Sequence, residues 1–408
     1  MEVEIFNSQE NRFGLVSPLA GSVRGPIPTF HLLYGTDLRL FRWCFTKNLS
    51  LYLPKFLFNN NRQMNSILFN TYLSFWQRIP IGIQHKISHW LEHSFNANTL
   101  KPNLPKAAII DPINICNLDC PLCASKNQNY EKGKMSFDTF KMVLDKIPSL
   151  RVVILFNWGE PLLHHEIFNI IRESVKRNIY TITHTNFSFK QKEDFFEKLV
   201  ESGLHQLVIS ADGASQETYE KYRVKGNFDW VKRNMELVTA AKKKLKLRDP
   251  KIVWKFLVNR YNEHEINYAK KLAKQIGVEL LFDKMGLADD IPDLAFPGTL
   301  EERMKEWLPQ NQNFILDYYK NGNKLPLNDE ACNQLFKSTV INPDGKVTPC
   351  CWVTSKENVW GDLTKESFEE IWHNEKYQYS RSLFNNINYD GKVNHTVCTK
   401  CEIYKRLK

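Results

Sequence analysis

No stretch of this sequence stays apolar and uncharged long enough to cross a bilayer, which excludes a membrane-spanning helix. Internal repeats and low-complexity tracts are also missing, which excludes a solenoid and a compositionally disordered chain. The opening residues M-E-V-E-I-F are acidic and show no signal-peptide pattern. Acidic residues are the minority, 45 against 55 basic ones, for a net charge of +10. The densest basic run, K-K-K-L-K-L-R at 242–248, reads as the solvated face of a helix rather than a nucleic-acid patch. No nucleic-acid partner is expected. The nine cysteines are grouped like metal ligands and not spread as a disulfide framework, which fits a reducing cytoplasm.

One further absence sharpens the chemistry. C-N-L-D-C-P-L-C, 116–123, supplies Cys116, Cys120 and Cys123, and no fourth Cys or His follows close by. A closed zinc site wants four ligands. Three thiolates suit a four-iron cubane that keeps one iron open, a centre that can pass an electron to a bound small molecule and a route to radicals from S-adenosylmethionine (SAM). A zinc site completed by a distant residue, and plain reduced thiols, stay open at this point.

At 408 residues and 42% hydrophobic content, the chain is long enough for two or three packed domains. Residues 1–100 are rich in aromatics and Asn, with helix-like apolar spacing near 62–77 and 81–96, and read as a mostly helical accessory segment. Aromatic and basic residues interleave at 41–57, which suits either a membrane surface or packing against the next domain. From 106 to 283, short β-branched runs alternate with amphipathic stretches. Strands are expected at 107–111, 151–156, 180–185, 206–210, 252–258 and 278–282, with helices at 136–147, 164–177, 190–203 and 263–275. Six βα units imply a parallel sheet curved into a partly open barrel. Residues 284–330 form a bridge, and 331–408 hold the remaining cysteine group.

Ligands of parallel α/β folds bind at the C-terminal ends of the strands. The cysteine loop follows the first expected strand, W-G-E-P (158–161) the second and Asn186 the third. S-A-D-G (210–213) closes the fourth, and Asn262 and Glu265 follow the fifth. All of them share one rim. The cysteine motif followed by G-E-P resembles the radical SAM superfamily over 106–283. The resemblance implies an α/β fold, a partial (β/α)6 TIM-like barrel, with a 4Fe-4S cluster on Cys116, Cys120 and Cys123. It also implies SAM held at the open iron and cleaved to a 5′-deoxyadenosyl radical. Glu160 matches the residue that accepts from the SAM amine, and Gly159 one that lets backbone approach the methionyl group. Ser210 and Asp212 match polar SAM contacts, Arg223 a partner of the SAM carboxylate, and Asn186 and Asn262 rim positions near the ribose or substrate. A flavodoxin- or ferredoxin-type electron donor is implied as well. Trp158 and Leu122 depart from the common pattern, which leaves the adenine contact open.

Some of these residues also have plainer readings. Ser210 and Asp212 suit a turn capping the helix that starts near 215, and Arg223 a surface ion pair. His184 shares strand parity with Asn186 and reads first as a core histidine. Lys255, mid-strand, either lines the lumen or snorkels past a helix.

In the tail, Cys332, Gly345 and Cys350 resemble the opening of a SPASM domain, with N-P-D-G (342–345) as a hairpin turn and Cys398-x-x-Cys401 closing the group. The resemblance implies one auxiliary 4Fe-4S cluster on Cys332, Cys350, Cys398 and Cys401, with Cys351 the spare. Zinc on the same four thiolates is the competing reading. The tail is expected to cover the open rim. Cys44 reads as a small buried hydrophobe. The sequence thus points to a radical SAM enzyme acting on a peptide or a small molecule such as a sugar. The alternative is a non-catalytic iron–sulfur or zinc protein for electron transfer or interaction.

Overall fold

The computed structural model describes residues 99–127, 130–287, 296–320, 332–385, 387–401 and 404–405. The helical reading of 1–100, the aromatic and basic stretch at 41–57 and Cys44 fall outside them, apart from the last two residues of the segment.

One sheet organises the described chain. Its parallel part is β1 (Ala107–Ile110), β2 (Val152–Ile154), β3 (Tyr180–Thr185), β4 (Gln206–Ser210), β5 (Lys251–Val258) and β6 (Glu279–Lys284), each paired with the next. The strands are short runs of Val, Ile, Thr and Leu buried on both faces, as parallel strands between helices must be. Helices α1 (Phe137–Lys146), α2 (Ile167–Lys176), α3 (Glu193–Glu201), α4 (Gln216–Tyr222), α5 (Phe228–Leu245) and α6 (Ile266–Ile276) fill the connections. Ser136 caps α1 by accepting from Thr139 N, and Gly277 ends α6 in the left-handed region at φ 85°. The result is a curved, open α/β barrel of six parallel strands. The helix expected near 215 is α4, and the helix face expected at 242–248 begins in the last turn of α5. The long α5 carries Lys242, Lys243 and Lys244 at its end, where Lys244 meets Glu197 across the surface at 2.6 Å.

The tail joins the same sheet. β7 (Ser338–Ile341) runs parallel to β1, and β8 (Lys346–Thr348) and β9 (Gly361–Asp362) follow antiparallel, giving the order β6-β5-β4-β3-β2-β1-β7-β8-β9. Direction decides where the tail's cysteines go. Ser338 is level with Ala107, the start of β1, so β7 climbs towards the rim and β8 descends from it. Cys332, just before β7, and Cys350, just after β8, therefore lie towards the N-terminal ends of the barrel strands. The expectation that the tail covers the open rim is therefore corrected for these two cysteines, while other tail residues do reach the rim loops. The Asn342–Gly345 turn reaches the rim, where Tyr130 Oη donates to Asp344 at 3.0 Å. So does the segment after Cys350, where Trp352 packs with Leu122 and Trp158 and Lys356 pairs with Glu131 at 3.3 Å. Among the described residues, no helix is long and apolar enough to cross a membrane.

Candidate active site

The cysteine loop leaves the end of β1 and is stapled on two sides. Asp119 N donates to Val224 O (3.1 Å), and Asn117 Nδ2 to Ser188 O (2.8 Å). Cys116 Sγ lies 3.6 Å from Asn186 Nδ2, Cys120 Sγ 3.8 Å from Arg223 Nη1, and Cys123 Sγ 3.2 Å from Ser125 Oγ. Burial pushes the Cys116 thiol up to about 11 and the Cys120 thiol up to about 12. These thiols keep their protons until a cationic centre displaces them. Two cations stand ready to balance the thiolates. Arg223 is one. The other, Lys132, donates to Ser125 O at 2.6 Å and feels the Cys116 and Cys123 sulfurs. Sequence reasoning missed Lys132, because it sits in a loop with no motif around it.

Glu160 is the most constrained carboxylate of the rim. It is 1% exposed, and it accepts from Thr185 Oγ1 (2.7 Å), Asn186 N (2.7 Å) and Leu162 N (3.1 Å). Burial raises it to about 7, against the pull of those three donors. A group balanced in this way is driven to its charged form by an arriving ammonium. Asn186 links it to the thiols, its backbone N–H on Glu160 and its side chain on Cys116 and Asn117 Oδ1 (2.9 Å). Gly159 has a reason internal to the chain. A Cβ there would fall 1.7 Å from Ile113 O, in the backbone entering the cysteine loop. Gly159→Ala is expected to push that loop away and destabilise the protein by on the order of 1–3 kcal/mol or more. A drop in thermal midpoint together with reduced iron uptake on reconstitution would show it; an unchanged variant would contradict the packing.

The fourth and fifth strand ends carry a second constellation. Asp212, fully buried, pairs with Arg223 through Nε (2.7 Å) and Nη2 (2.6 Å), and also accepts from Leu257 N (2.8 Å). Burial opposes the Arg223 charge, but Asp212 and the Cys120 sulfur hold it well above its ordinary range. So Asp212 and Arg223 face each other, and Arg223 is no surface ion pair. Asn262 is engaged by the chain too, donating to Asp212 O (3.0 Å) and Leu257 O (2.9 Å) and accepting from Asn259 N (2.8 Å). Glu265 accepts from Ala214 N (2.6 Å) and Thr218 Oγ1 (2.5 Å), fixing the turn after β4. Ser210 is half-buried, opposite Lys255 in the register of β4 and β5. Lys255 itself is buried, and this pairing puts it on the lumen face.

The tail thiols form a separate group. Cys350 is raised well above its ordinary value by burial and by the neighbouring sulfurs of Cys398, Cys401 and Cys332. Cys351, fully buried, is not one of these free thiols: it is disulfide-bonded. Among the described residues, no three or more His, Cys, Asp or Glu converge on a single-ion site. Thiols that each bind a different iron of one cluster do not have to converge in that way.

Known protein families match this arrangement. Residues 110–248 match the radical SAM superfamily, and 332–402 the SPASM iron–sulfur cluster-binding domain. The chain thus carries a radical SAM domain followed by a SPASM domain. It is similar to the AdoMet-dependent heme synthase of Methanosarcina barkeri, 24% identical over 64% of this chain and 79% of that protein. It is similar also to the mycofactocin maturase MftC of Mycolicibacterium smegmatis, 23% identical over 65% of this chain and 70% of that one. Among solved structures, Streptococcus suis SuiB bound to precursor peptide SuiA aligns over 87% of this chain and 78% of its own, with TM-score 0.51 and 14% identity. AnSMEcpe with bound AdoMet aligns over 69% and 84%, with TM-score 0.50 and 19% identity. These two support the fold. Radical SAM domains bind a 4Fe-4S cluster and SAM, and SPASM domains bind auxiliary iron–sulfur clusters, so this radical SAM chain is an enzyme. The donor set fits: three thiols in one loop with two cations beside them, a buried carboxylate suited to an ammonium, and four more thiols at a distance. When bound, the cluster supplies the electron that cleaves SAM to a radical able to take hydrogen from carbon.

Proposed function

We propose that the rim formed by the cysteine loop, Glu160 and Asn186 binds SAM, with the cluster on Cys116, Cys120 and Cys123. The substrate, a peptide or a small polar molecule, lies in the lumen between this rim and an auxiliary cluster on Cys332, Cys350, Cys398 and Cys401. The carrying observation is that Asn186 joins the Glu160 carboxylate to Cys116, so the amine partner and the cluster ligand belong to one connected unit. A carrier protein needs no such carboxylate. SuiB was solved with a precursor peptide, which favours keeping a peptide among the substrates. The electron donor is an acidic flavodoxin- or ferredoxin-type protein, in keeping with the net charge of +10. Gly159, Ser210, Asp212, Arg223 and Asn262 shape and charge this rim, with Arg223 acting through Asp212.

The reading is tested by anaerobic reconstitution, then mass spectrometry of deuterated candidate substrates, scoring transfer of deuterium into 5′-deoxyadenosine. Glu160→Ala supplies a sharper check. Loss of one charge-assisted bond is expected to weaken SAM binding by roughly 1.5–3 kcal/mol, about ten- to a hundredfold, with iron content unchanged. In the native protein SAM affinity should also fall as pH drops below about 7, since protonated Glu160 cannot accept the ammonium. Equilibrium dialysis with labelled SAM measures both, and an unaltered affinity in the variant contradicts the role.

A further inference from the structure

The lumen face of the sheet holds a row of side chains that none of these roles uses. Register pairs Ile110 with Ile341, Ile109 with Ile154, and Ile154 with Ile182. Carried up to the strand ends, it sets Asn342, Asp111, Phe156 and His184 side by side across β7, β1, β2 and β3. Their parity is opposite to that of Ile110, Leu155 and Ile341, which pack into the helix-side core. The row therefore faces inward, just below the strand tips that carry the cysteine loop, Glu160 and Asn186. Asp111, His184 and Asn342 are 1%, 3% and 5% exposed. Yet Asp111 Oδ1, His184 Nε2 and Asn342 Nδ2 have no hydrogen-bond partner. Buried polar atoms left so are rare, and three on one row call for a cause.

The layers beneath differ. One layer down, Ile109, Ile154 and Ile182 are apolar and fully covered, while the row itself continues past His184 into the buried Val208 and Val253. Level with Ile182, Gln206 Oε1 accepts from Tyr180 Oη (3.5 Å) and Lys251 pairs with Glu279 (3.3 Å), with Gln206 Nε2 alone left without a partner among these groups. Phe156, half-buried, lies against the His184 ring at 4.4 Å and 6°. It offers an apolar surface between two unpaired polar groups.

We propose that this row is the floor of the substrate pocket, and that it takes a six-membered ring bearing hydroxyl or amino groups, a sugar or cyclitol. Asp111 Oδ1 accepts from such groups, the Asn342 amide donates to them, and the neutral His184 ring does either by tautomer. Asp111 and His184 stand two strand spacings apart, about 10 Å between backbones, which a substituted ring bridges through two hydrogen bonds and a methyl-sized group does not. An extended peptide is usually held along an open strand edge, and β1, β2 and β3 are each paired on both sides. Asn342 comes from the SPASM hairpin, so both halves of the chain build this floor.

The proposal rests on the reading that SAM occupies the rim above, and the test separates the two. Reconstituted enzyme with SAM is examined by saturation-transfer NMR, using myo-inositol and D-glucosamine as ring probes and N-acetylalanine methylamide as a peptide probe. At least one ring probe should show transfer, reduced fivefold or more in His184→Phe and in Asn342→Leu, and partly recovered in His184→Gln. SAM affinity should stay within twofold of the native value in all three. Absence of transfer to both ring probes, or transfer unchanged by His184→Phe and Asn342→Leu, overturns the site. Transfer to the peptide probe that these substitutions abolish overturns the substrate class. A native enzyme that fails to bind SAM sinks the rim reading instead.

Discussion

Replacing Cys116, Cys120 and Cys123 together by Ala is expected to abolish 5′-deoxyadenosine formation and to lower iron from about eight to about four per chain, the difference of one cubane. No neighbouring side chain can take over. The loop has no other cysteine or histidine, and the groups around the thiols are Arg223, Lys132, Asn186 and Ser125, of which the first two are cations. The substitutions should spare the fold. The staples from Asp119 N to Val224 O and from Asn117 to Ser188 use backbone and amide groups, not sulfur. Far-ultraviolet circular dichroism and the spectrum of the remaining cluster serve as controls. A folded triple variant that still cleaved SAM would place the radical chemistry elsewhere.

Much of this was legible in the sequence, and the reason is physical. β3 and β4 were expected at 180–185 and 206–210 and are found there, because strands buried on both faces are uninterrupted β-branched runs with sharp ends. The rim followed from strand order alone, since parallel strands point every C-terminal end the same way. What stayed hidden depends on contacts between distant parts of the chain. Nothing local in S-T-V-I, 338–341, says that it pairs with A-A-I-I, 107–110, yet that pairing fixes the direction of the tail. The Asp212–Arg223 pair is another case: each residue suggested a ligand contact or a cap, and only the turn after β4 brings them to 2.6 Å. Gly159 shows a motif residue whose visible duty is towards the chain itself. Asp111 closes the first expected strand, 107–111, and could have been placed on the lumen face by parity, as His184 was.

Changing Cys398 and Cys401 to Ala should leave SAM cleavage in place and stop product formation. The two thiol groups lie at opposite ends of one sheet. From Ser338 to Asn342, β7 climbs four residues, about 13 Å at the usual strand rise, from the level of the tail thiols to the rim. On the proposed reading, a substrate on the lumen floor would lie between them, and a cluster on the tail thiols would supply the acceptor for the electron left after hydrogen is removed. With that cluster gone, the rim still cleaves SAM, but the substrate radical has nowhere to send its electron, and 5′-deoxyadenosine accumulates without product. Folding must be checked, because Cys350 and Cys398 lie near Tyr377, which packs under Arg381, and Arg381 ties Leu335, Trp372 and Leu100 together. Metal bound there also supports the fold directly. Metal analysis of the native protein decides a prior question: zinc near one per chain with iron near four would make the tail a structural zinc site. If the double variant kept its fold and its rim cluster and turned over substrate at the native rate, the tail would serve only to build the pocket wall through Asn342. The electron would then have to leave by the rim, back to the cluster on Cys116, Cys120 and Cys123.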